Sequence, residues 1–473
     1  MAQTPELAIS CHCGAAEQTV RLRTQSPSGP REINLCHCAA CRHNTGLLCV
    51  SYVGIERPGS VHGLVEYRST TRTSTRLFCA NCGCHVFWRH ERADKDESLG
   101  SREHNELSGG ETWELWAVAT GVIIGRAGED DGQISKDGSE TLMTYTRHIN
   151  TAGTKDGGLS SFIRYVEGSR ELEIFEHWGT PPASPHFAPT DIKPGHPRQD
   201  VSFGELPHDE EKESGGEVLN AFCHCKAVRF HIMRPDPASR LPQSNFPDLM
   251  IPYHTGSPDI KNPGDVKWWL RPGQDPCSEG SQASSAEQSE VIRYLAGTCA
   301  CRSCRLVSGF EIQTWAFVPR ANIFFHIPRN TPVSKHKSSF VASVSQSPDE
   351  SCAETSTIPL DFATLPPGIL TSYESTPGVR REFCARCGAT VFWRDKWRPE
   401  LMDVSLGLLD ANEGARAETW LDWWTERVSF AEDAGNGRTG DTARRARCLV
   451  DSLEKGLRNS KEKSGESARG LYG

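Results

Sequence analysis

The spacing of the cysteines constrains this chain more than any other feature. Cys11-His12-Cys13 is followed by Cys36-His37-Cys38-Ala39-Ala40-Cys41 and then by Cys79-Ala80-Asn81-Cys82-Gly83. The same order recurs as Cys223-His224-Cys225, Cys299-Ala300-Cys301-Arg302-Ser303-Cys304 and Cys384-Ala385-Arg386-Cys387-Gly388. The pattern C-x-C, C-x-C-x-x-C, C-x-x-C-G takes up fourteen of the nineteen cysteines and leaves Cys49, Cys84, Cys277, Cys352 and Cys448. The likeness extends further. FCANCGCHVFWR (78–89) and FCARCGATVFWR (383–394) agree at nine of twelve positions without a gap. Arg76 and Arg381 stand three residues before the C-x-x-C; Arg42 and Arg305 follow the triples, with Gly46 and Gly309 four further on. Such self-similarity reads as two tandem copies of one unit.

The spacing has a chemical meaning. Along an extended C-x-C both sulfurs project from one side while the middle residue points away. A C-x-x-C turn brings its sulfurs together, and the glycine after it tolerates a positive-φ backbone. Joining Cys11 and Cys13 to Cys79 and Cys82, and Cys223 and Cys225 to Cys384 and Cys387, gives two closed four-thiolate sites of the kind that hold structural zinc. Lys226 stands where the first copy has Gly14, so the second turn is expected to differ.

Cys36, Cys38 and Cys41, and likewise Cys299, Cys301 and Cys304, offer three thiolates each. Three protein ligands and an exchangeable fourth position is the usual arrangement of catalytic zinc. A structural site closed by another ligand, or a reduced cluster without metal, are the alternatives. Arg42 and Arg305 adjoin these thiolates and are candidates to offset their charge or to bind a carboxylate of a ligand. His37 and His43 face Ala300 and Leu306 in the other copy, so they read as surface or loop histidines rather than general ligands. His12 and His224 match but should face away from the metal. Trp88 and Trp393 read as core, and the spare cysteines as buried small apolar residues or loop thiols.

Around these motifs the chain reads as mainly β, with short strands at 48–53, 86–89, 113–119, 310–318 and 390–394 and little helical periodicity. Twenty-two residues separate Cys13 from Cys36, but seventy-three separate Cys225 from Cys299. Polar stretches near 272–290 and 343–357 read as insertions in the second copy. Seven prolines between Pro181 and Pro207 mark 181–217 as a semi-rigid linker. The expected organisation is a zinc domain over 1–180, a second over 218–432, and a mobile tail over 433–473 with at most a short helix near 442–457.

At 24% charged residues and a net charge of −9, the chain argues against a general nucleic-acid binder. No apolar run is long enough to span a membrane. The first ten residues lack a secretory signal, which places the chain in the cytosol or nucleus, where clustered thiols serve metal binding or catalysis rather than disulfides.

The ordered set C-x-C, C-x-C-x-x-C-R-x-x-x-G, Y-x-S (at Tyr67 and Tyr373), R-x-F-C-x-x-C-G resembles the family of glutathione-dependent formaldehyde-activating enzymes, which also includes the centromere protein V domain. The resemblance spans roughly 5–180 and 218–430. Thr154-Lys-Asp-Gly-Gly-Leu-Ser is similar to a segment of fungal-type members, with no evident equivalent in the second copy. The resemblance implies an Mss4-like β fold, two zinc ions per domain, structural zinc on each quartet and catalytic zinc on each triple. It implies a carbon–sulfur lyase whose founding reaction joins formaldehyde to glutathione, giving S-hydroxymethylglutathione.

Two functions compete. In the first, each triple's zinc holds a thiol such as glutathione, or polarises an aldehyde, to make or break a C–S bond; no general base is evident. In the second, the chain is a non-catalytic zinc scaffold for a protein partner. A division of labour, with one active copy, is a third arrangement. The sequence leaves the substrate and the oligomeric state open.

Overall fold

The computed structural model describes residues 4–23, 29–69, 73–92, 113–128, 141–167, 170–178, 218–246, 262–273, 291–328 and 355–464. The architecture is mainly β, as expected. In the first half, Gln18–Arg21, Glu6–Ile9 and Ile123–Arg126 form a small sheet. A larger sheet runs in the order Glu173–Ile174, Met143–Ile149, Arg31–Cys36, Val50–Ile55, Trp113–Ala119, His85–Arg92, Ser74–Cys79 and Leu64–Arg68. Alternation explains these strands. In Arg31–Cys36, Ile33 and Leu35 are buried while their neighbours are not.

The second half repeats this order. Arg229–Met233, Val218–Phe222 and Leu409–Asp410 correspond to the small sheet, extended by Ile323–Pro328 and Thr355–Pro359. Val291–Cys299, Gln313–Pro319, Leu401–Ser405, Thr390–Asp395, Val379–Cys384 and Leu370–Thr376 follow in the larger sheet, with Leu270–Gly273 on its edge. Met143–Ile149 lies parallel to Arg31–Cys36; Leu421–Trp423 lies parallel to Val291–Cys299. Leu421–Trp423 thus pairs with the strand before the second triple as Met143–Ile149 pairs with the strand before the first. In each half a short helix follows the first cysteines of the triple: α1 (Ala39–Thr45) and α2 (Arg302–Ser308).

The two halves pack against each other through reciprocal contacts, and their buried apolar side chains form one contiguous core. Gly121 N–H donates to the Gly309 carbonyl at 2.9 Å, and Gly407 N–H to that of Gly46 at 2.9 Å. His12 N–H donates to Leu306 O, and His224 N–H to His43 O. Phe78 and Phe383 meet edge to face across the seam. Gly46 and Gly309 end α1 and α2 at φ of +81° and +89°. Their other duty is close approach. A Cβ on Gly46 would collide with the Thr390 carbonyl oxygen, and one on Gly309 with that of His85, its counterpart in the other half.

Three expectations change. Residues 433–473, read as a tail, carry α3 (Gly440–Ser464), in which Leu449, Leu453 and Leu457 are fully buried. Its signal is the apolar series Ala446, Leu449, Val450, Leu453 and Leu457 at helical spacing. This helix crosses to the first half: Arg444 pairs with Glu167, and the Ser452 hydroxyl reaches the Tyr165 carbonyl. Just before it, Arg438 pairs with buried Glu311 at 2.7 Å and donates to Thr120 O. Residues 355–357, read as part of an insertion, belong to an edge strand, and 270–273 are strand as well. The linker at 181–217 and the bulk of both insertions lie outside the described residues. Among the described residues no helix is long and apolar enough to cross a membrane.

Gly309→Ala is expected to destabilise the chain by more than the roughly 1–2 kcal/mol that a left-handed backbone alone costs alanine, because the opposing atom is backbone and cannot turn aside. Ala substitution at exposed Gly59, where nothing lies near, is the control. Urea midpoints of the two variants check this; equal midpoints would show that the seam yields.

Candidate metal centres

The structure brings together all fourteen patterned cysteines, in the four groups expected. Within each group the sulfurs all lie within 4.8 Å of one another. In the quartets Cys11 and Cys13 are 3.6 Å apart, Cys13 and Cys79 3.5 Å, Cys223 and Cys225 3.4 Å, and Cys225 and Cys384 3.5 Å. These spacings are far beyond a disulfide bond. They approach the edge, about 3.8 Å, of a tetrahedron whose centre lies about 2.3 Å from each sulfur, as in zinc–thiolate sites. The donor sets therefore fit a metal ion. Each quartet clamps the first strand of its half to the turn of the hairpin between its C-x-x-C strands. The two C-x-C turns also agree: Gly14 and Lys226 both adopt positive φ and donate to the carbonyls of Cys11 and Cys223. The expected difference at Lys226 is absent.

The triples sit where a strand ends and a helix begins. Cys36 and Cys299 close the strands Arg31–Cys36 and Val291–Cys299. Cys38 and Cys301 cap α1 and α2, their sulfurs accepting from the N–H of Cys41 and Cys304 at 3.4 and 3.2 Å. The third sulfur lies in the first turn. Among the described residues no fourth Cys, His, Asp or Glu joins either triple. Each triple holds one strongly acidified thiol. Cys41 is held well below its ordinary pKa, first by hydrogen bonds from Cys36 and Cys38 and then by Arg76; Cys304 is held down in the same way by Cys299, Cys301 and then Arg381.

Those two arginines correct the reading of Arg42 and Arg305. Arg76 donates to Cys41 Sγ at 3.0 Å and Arg381 to Cys304 Sγ at 3.1 Å. They come from the C-x-x-C strands, whose register aims them at the triple, and their exact repetition in both copies was the available signal. Arg305 is buried elsewhere, donating to the carbonyls of Gly121 and Asn436. Arg42 is 5% exposed, and its Nε and Nη1 have no hydrogen-bond partner.

The histidines are also placed differently. His37 and His43 are buried, not on the surface. His37 Nε2 and His148 Nδ1 are 2.9 Å apart, and His148 Nε2 reaches the Ile163 carbonyl. His43 stacks on Phe222 of the other half and bonds its carbonyl through Nδ1 at 2.8 Å. His12 and His224 do face away from their own quartets, but toward the other half, where they meet Tyr373 and Tyr67. Trp88 and Trp393 are half-buried, each beneath the arginine of its triple. Cys49 and Cys84 are buried, as expected; Cys448 is half-buried on α3. Cys277 and Cys352 lie outside the described residues.

The residue that follows the parallel strand also differs between the two triples. After the parallel strand the chain turns through a left-handed residue, Asn150 in the first half and Phe430 in the second. Asn150 Nδ2 donates to Cys36 Sγ at 3.5 Å, and its Oδ1 accepts from the Trp178 N–H. Phe430 instead packs its ring against the cluster of Cys299, Cys304 and Trp315.

Residues 6–101, which hold the first quartet and the first triple, match the model of the family described as glutathione-dependent formaldehyde-activating enzyme. No curated protein and no solved structure matches the chain. The matched segment contains two of the cysteine groups whose geometry fits a metal ion.

Burial lowers the pKa of His43 to about 3 and of His148 to about 4. Both are neutral in the folded chain and bind protons more readily when it unfolds. Their contribution to stability is therefore complete above about pH 6.5 and is lost as pH falls toward 4. For His148 alone the loss is on the order of 3 kcal/mol. Urea midpoints measured from pH 7.5 to 4.5 are expected to fall; His148→Phe is expected to flatten the curve, and an unchanged slope would refute the assignment.

Proposed function

We propose that the chain is a zinc enzyme of the carbon–sulfur lyase type, made of two tandem copies of one unit and acting on adducts of a small thiol and an aldehyde at a three-cysteine site. Glutathione and formaldehyde are the substrates that the matched family suggests. The observation that carries this reading is the convergence of Cys36, Cys38 and Cys41 on one point with no fourth protein ligand among the described residues, inside the segment that matches the family. The quartets are then structural zinc sites, whose binding energy is largely folding energy.

Cys36, Cys38 and Cys41 would hold a zinc ion, which would supply a Lewis-acidic position for a thiolate or an aldehyde oxygen. The chain's own residues set that position. The Cys41 N–H orients Cys38 as it caps α1. Arg76 offsets the surplus negative charge of three thiolates at Cys41, and the Asn150 amide does so at Cys36. Arg42, buried with unsatisfied nitrogens, is a candidate for a ligand carboxylate. Arg305 already has carbonyl partners, and Phe430 adds an apolar ring where Asn150 offers an amide. These differences favour the first half as the reactive one.

Metal analysis of the purified chain is expected to give about four zinc ions, two per half. Cys38→Ser is expected to lower this by about one, to keep the fold, and to abolish any thiol-dependent consumption of aldehyde. About two ions in the wild type, with no thiol–aldehyde chemistry, would instead support the scaffold reading.

A further inference from the structure

The Cys-His-Cys loop of the first half does more than close its own quartet. His12 leaves that loop toward the second half and is held there at three points. Its N–H donates to Leu306 O at 3.1 Å, its Nδ1 lies 2.8 Å from the Tyr373 hydroxyl, and its Nε2 lies 3.2 Å from Ser303 Oγ. Its ring stands edge-on to Tyr373 at 78°. Ser303 lies inside the triple's own loop, between Cys301 and Cys304. It accepts from Arg381 Nη2 at 3.1 Å, while Nη1 of the same guanidinium donates to Cys304 Sγ. While accepting from Arg381, Ser303 Oγ keeps its proton and a second lone pair, so it pairs with His12 Nε2 in either tautomer of the ring. A continuous chain of hydrogen bonds thus runs from Tyr373 through His12, Ser303 and Arg381 to a thiolate of the second triple.

The reciprocal chain in the other direction is broken. His224 has the same backbone bond, to His43 O, and the same tyrosine partner, Tyr67 at 2.7 Å. Arg76 bonds Cys41 as Arg381 bonds Cys304. Position 40, however, is alanine where the second half has Ser303, so no hydroxyl links His224 to Arg76.

We infer that His12 is a positioning residue of the second half's three-thiolate centre: acting through Ser303, it fixes Arg381 against Cys304, and the first half thereby completes a site whose cysteines all belong to the second. The inference rests on the reading that the triples hold metal, and it assigns His224 no such role at the first triple. His12 touches no sulfur of that centre; its effect is transmitted entirely by the guanidinium it helps to hold.

The test is the rate of iodoacetamide alkylation of each cysteine in the zinc-loaded full-length chain, read peptide by peptide. His12→Ala and Ser303→Ala are each expected to speed alkylation of Cys301 and Cys304 about tenfold, the scale of losing one hydrogen bond in a chain to a charged group. Cys36, Cys38 and Cys41 should keep their wild-type rates, and His224→Ala should leave them unchanged as well. His12→Gln, which retains a hydrogen-bonding group toward Ser303, should keep most of the protection. The inference is overturned if Ser303→Ala leaves Cys304 protected, if His12→Gln loses as much as His12→Ala, or if His224→Ala exposes Cys41 to the same degree. Exposure of Cys11 and Cys13 together with Cys304 in His12→Ala would indicate a collapsed quartet; Ser303→Ala, which lies outside that loop, then decides. Wild-type Cys301 and Cys304 that alkylate like free thiols with zinc present would defeat the metal reading itself, separately from the role of His12.

Discussion

Four sulfurs gathered at one point are the constraint on which the remainder of each half rests. A C-x-C in the turn after the first strand and a C-x-x-C on the hairpin turn are far apart in sequence and have no other strong reason to meet. Four sulfurs at 3.4–3.6 Å fit a cation between them, and as four buried thiolates they would need one to offset their repulsion. With a metal bound there, binding energy would be folding energy. With the four sulfurs gathered, the residue between the two cysteines of the C-x-C points outward. In this chain outward is the other half, which is how a cysteine quartet comes to present His12 and His224 at the seam.

The seam obeys the logic of a twofold interface within a single chain. The backbone contacts come in returned pairs: Gly121 to Gly309 and Gly407 to Gly46, His12 to Leu306 and His224 to His43. An isologous surface of this kind needs only one solution to serve twice. It also explains why glycine is required at the end of α1 and α2. The residue must turn left-handed to stop the helix and must let the opposing backbone come close, and only a residue without Cβ does both. The helix α3 then ties the halves from outside, with Arg438 and Glu311 buried as a pair beneath its start.

Much of this was legible in the cysteines. Their spacing gave all four groups, because metal ligation imposes a short-range geometry that sequence spacing records directly. The strands at 113–119 and 390–394 were legible from alternation and β-branched or aromatic content. What escaped was long-range. Arg76 and Arg381 repeat in both copies, but nothing local says that a strand residue near the C-x-x-C reaches the triple rather than the quartet. Arg42 and Arg305 were favoured by adjacency in sequence, yet the guanidiniums that donate to the sulfurs are those of Arg76 and Arg381, and Arg305 donates to the carbonyls of Gly121 and Asn436 instead. His37 and His43 read as surface or loop residues because the other copy has Ala300 and Leu306 in their places; their burial depends on partners more than a hundred residues distant, His148 and Phe222. The helix α3 was obscured by its many charges, although its apolar stripe has the helical period.

The same scaffold leaves its two triples unequal, and the inequality has a direction. A site that must exchange its ligand needs polar groups ready to receive one; a site that only holds metal is better closed with apolar contacts and with polar groups already committed to protein partners. The first triple has the Asn150 amide on Cys36 and, nearby in the same helix, a buried guanidinium with unfilled capacity. The second has Phe430 packed on its sulfurs, Arg305 bonded to two carbonyls, and a hydrogen-bond chain anchored in the opposite half. Phe430 holds a left-handed backbone that a bulky residue adopts only at a cost. That cost is tolerable where the side chain packs against the cluster of Cys299, Cys304 and Trp315, at the position where the first half has the Asn150 amide. Such a pair fits one half kept open for chemistry and the other stiffened to support it.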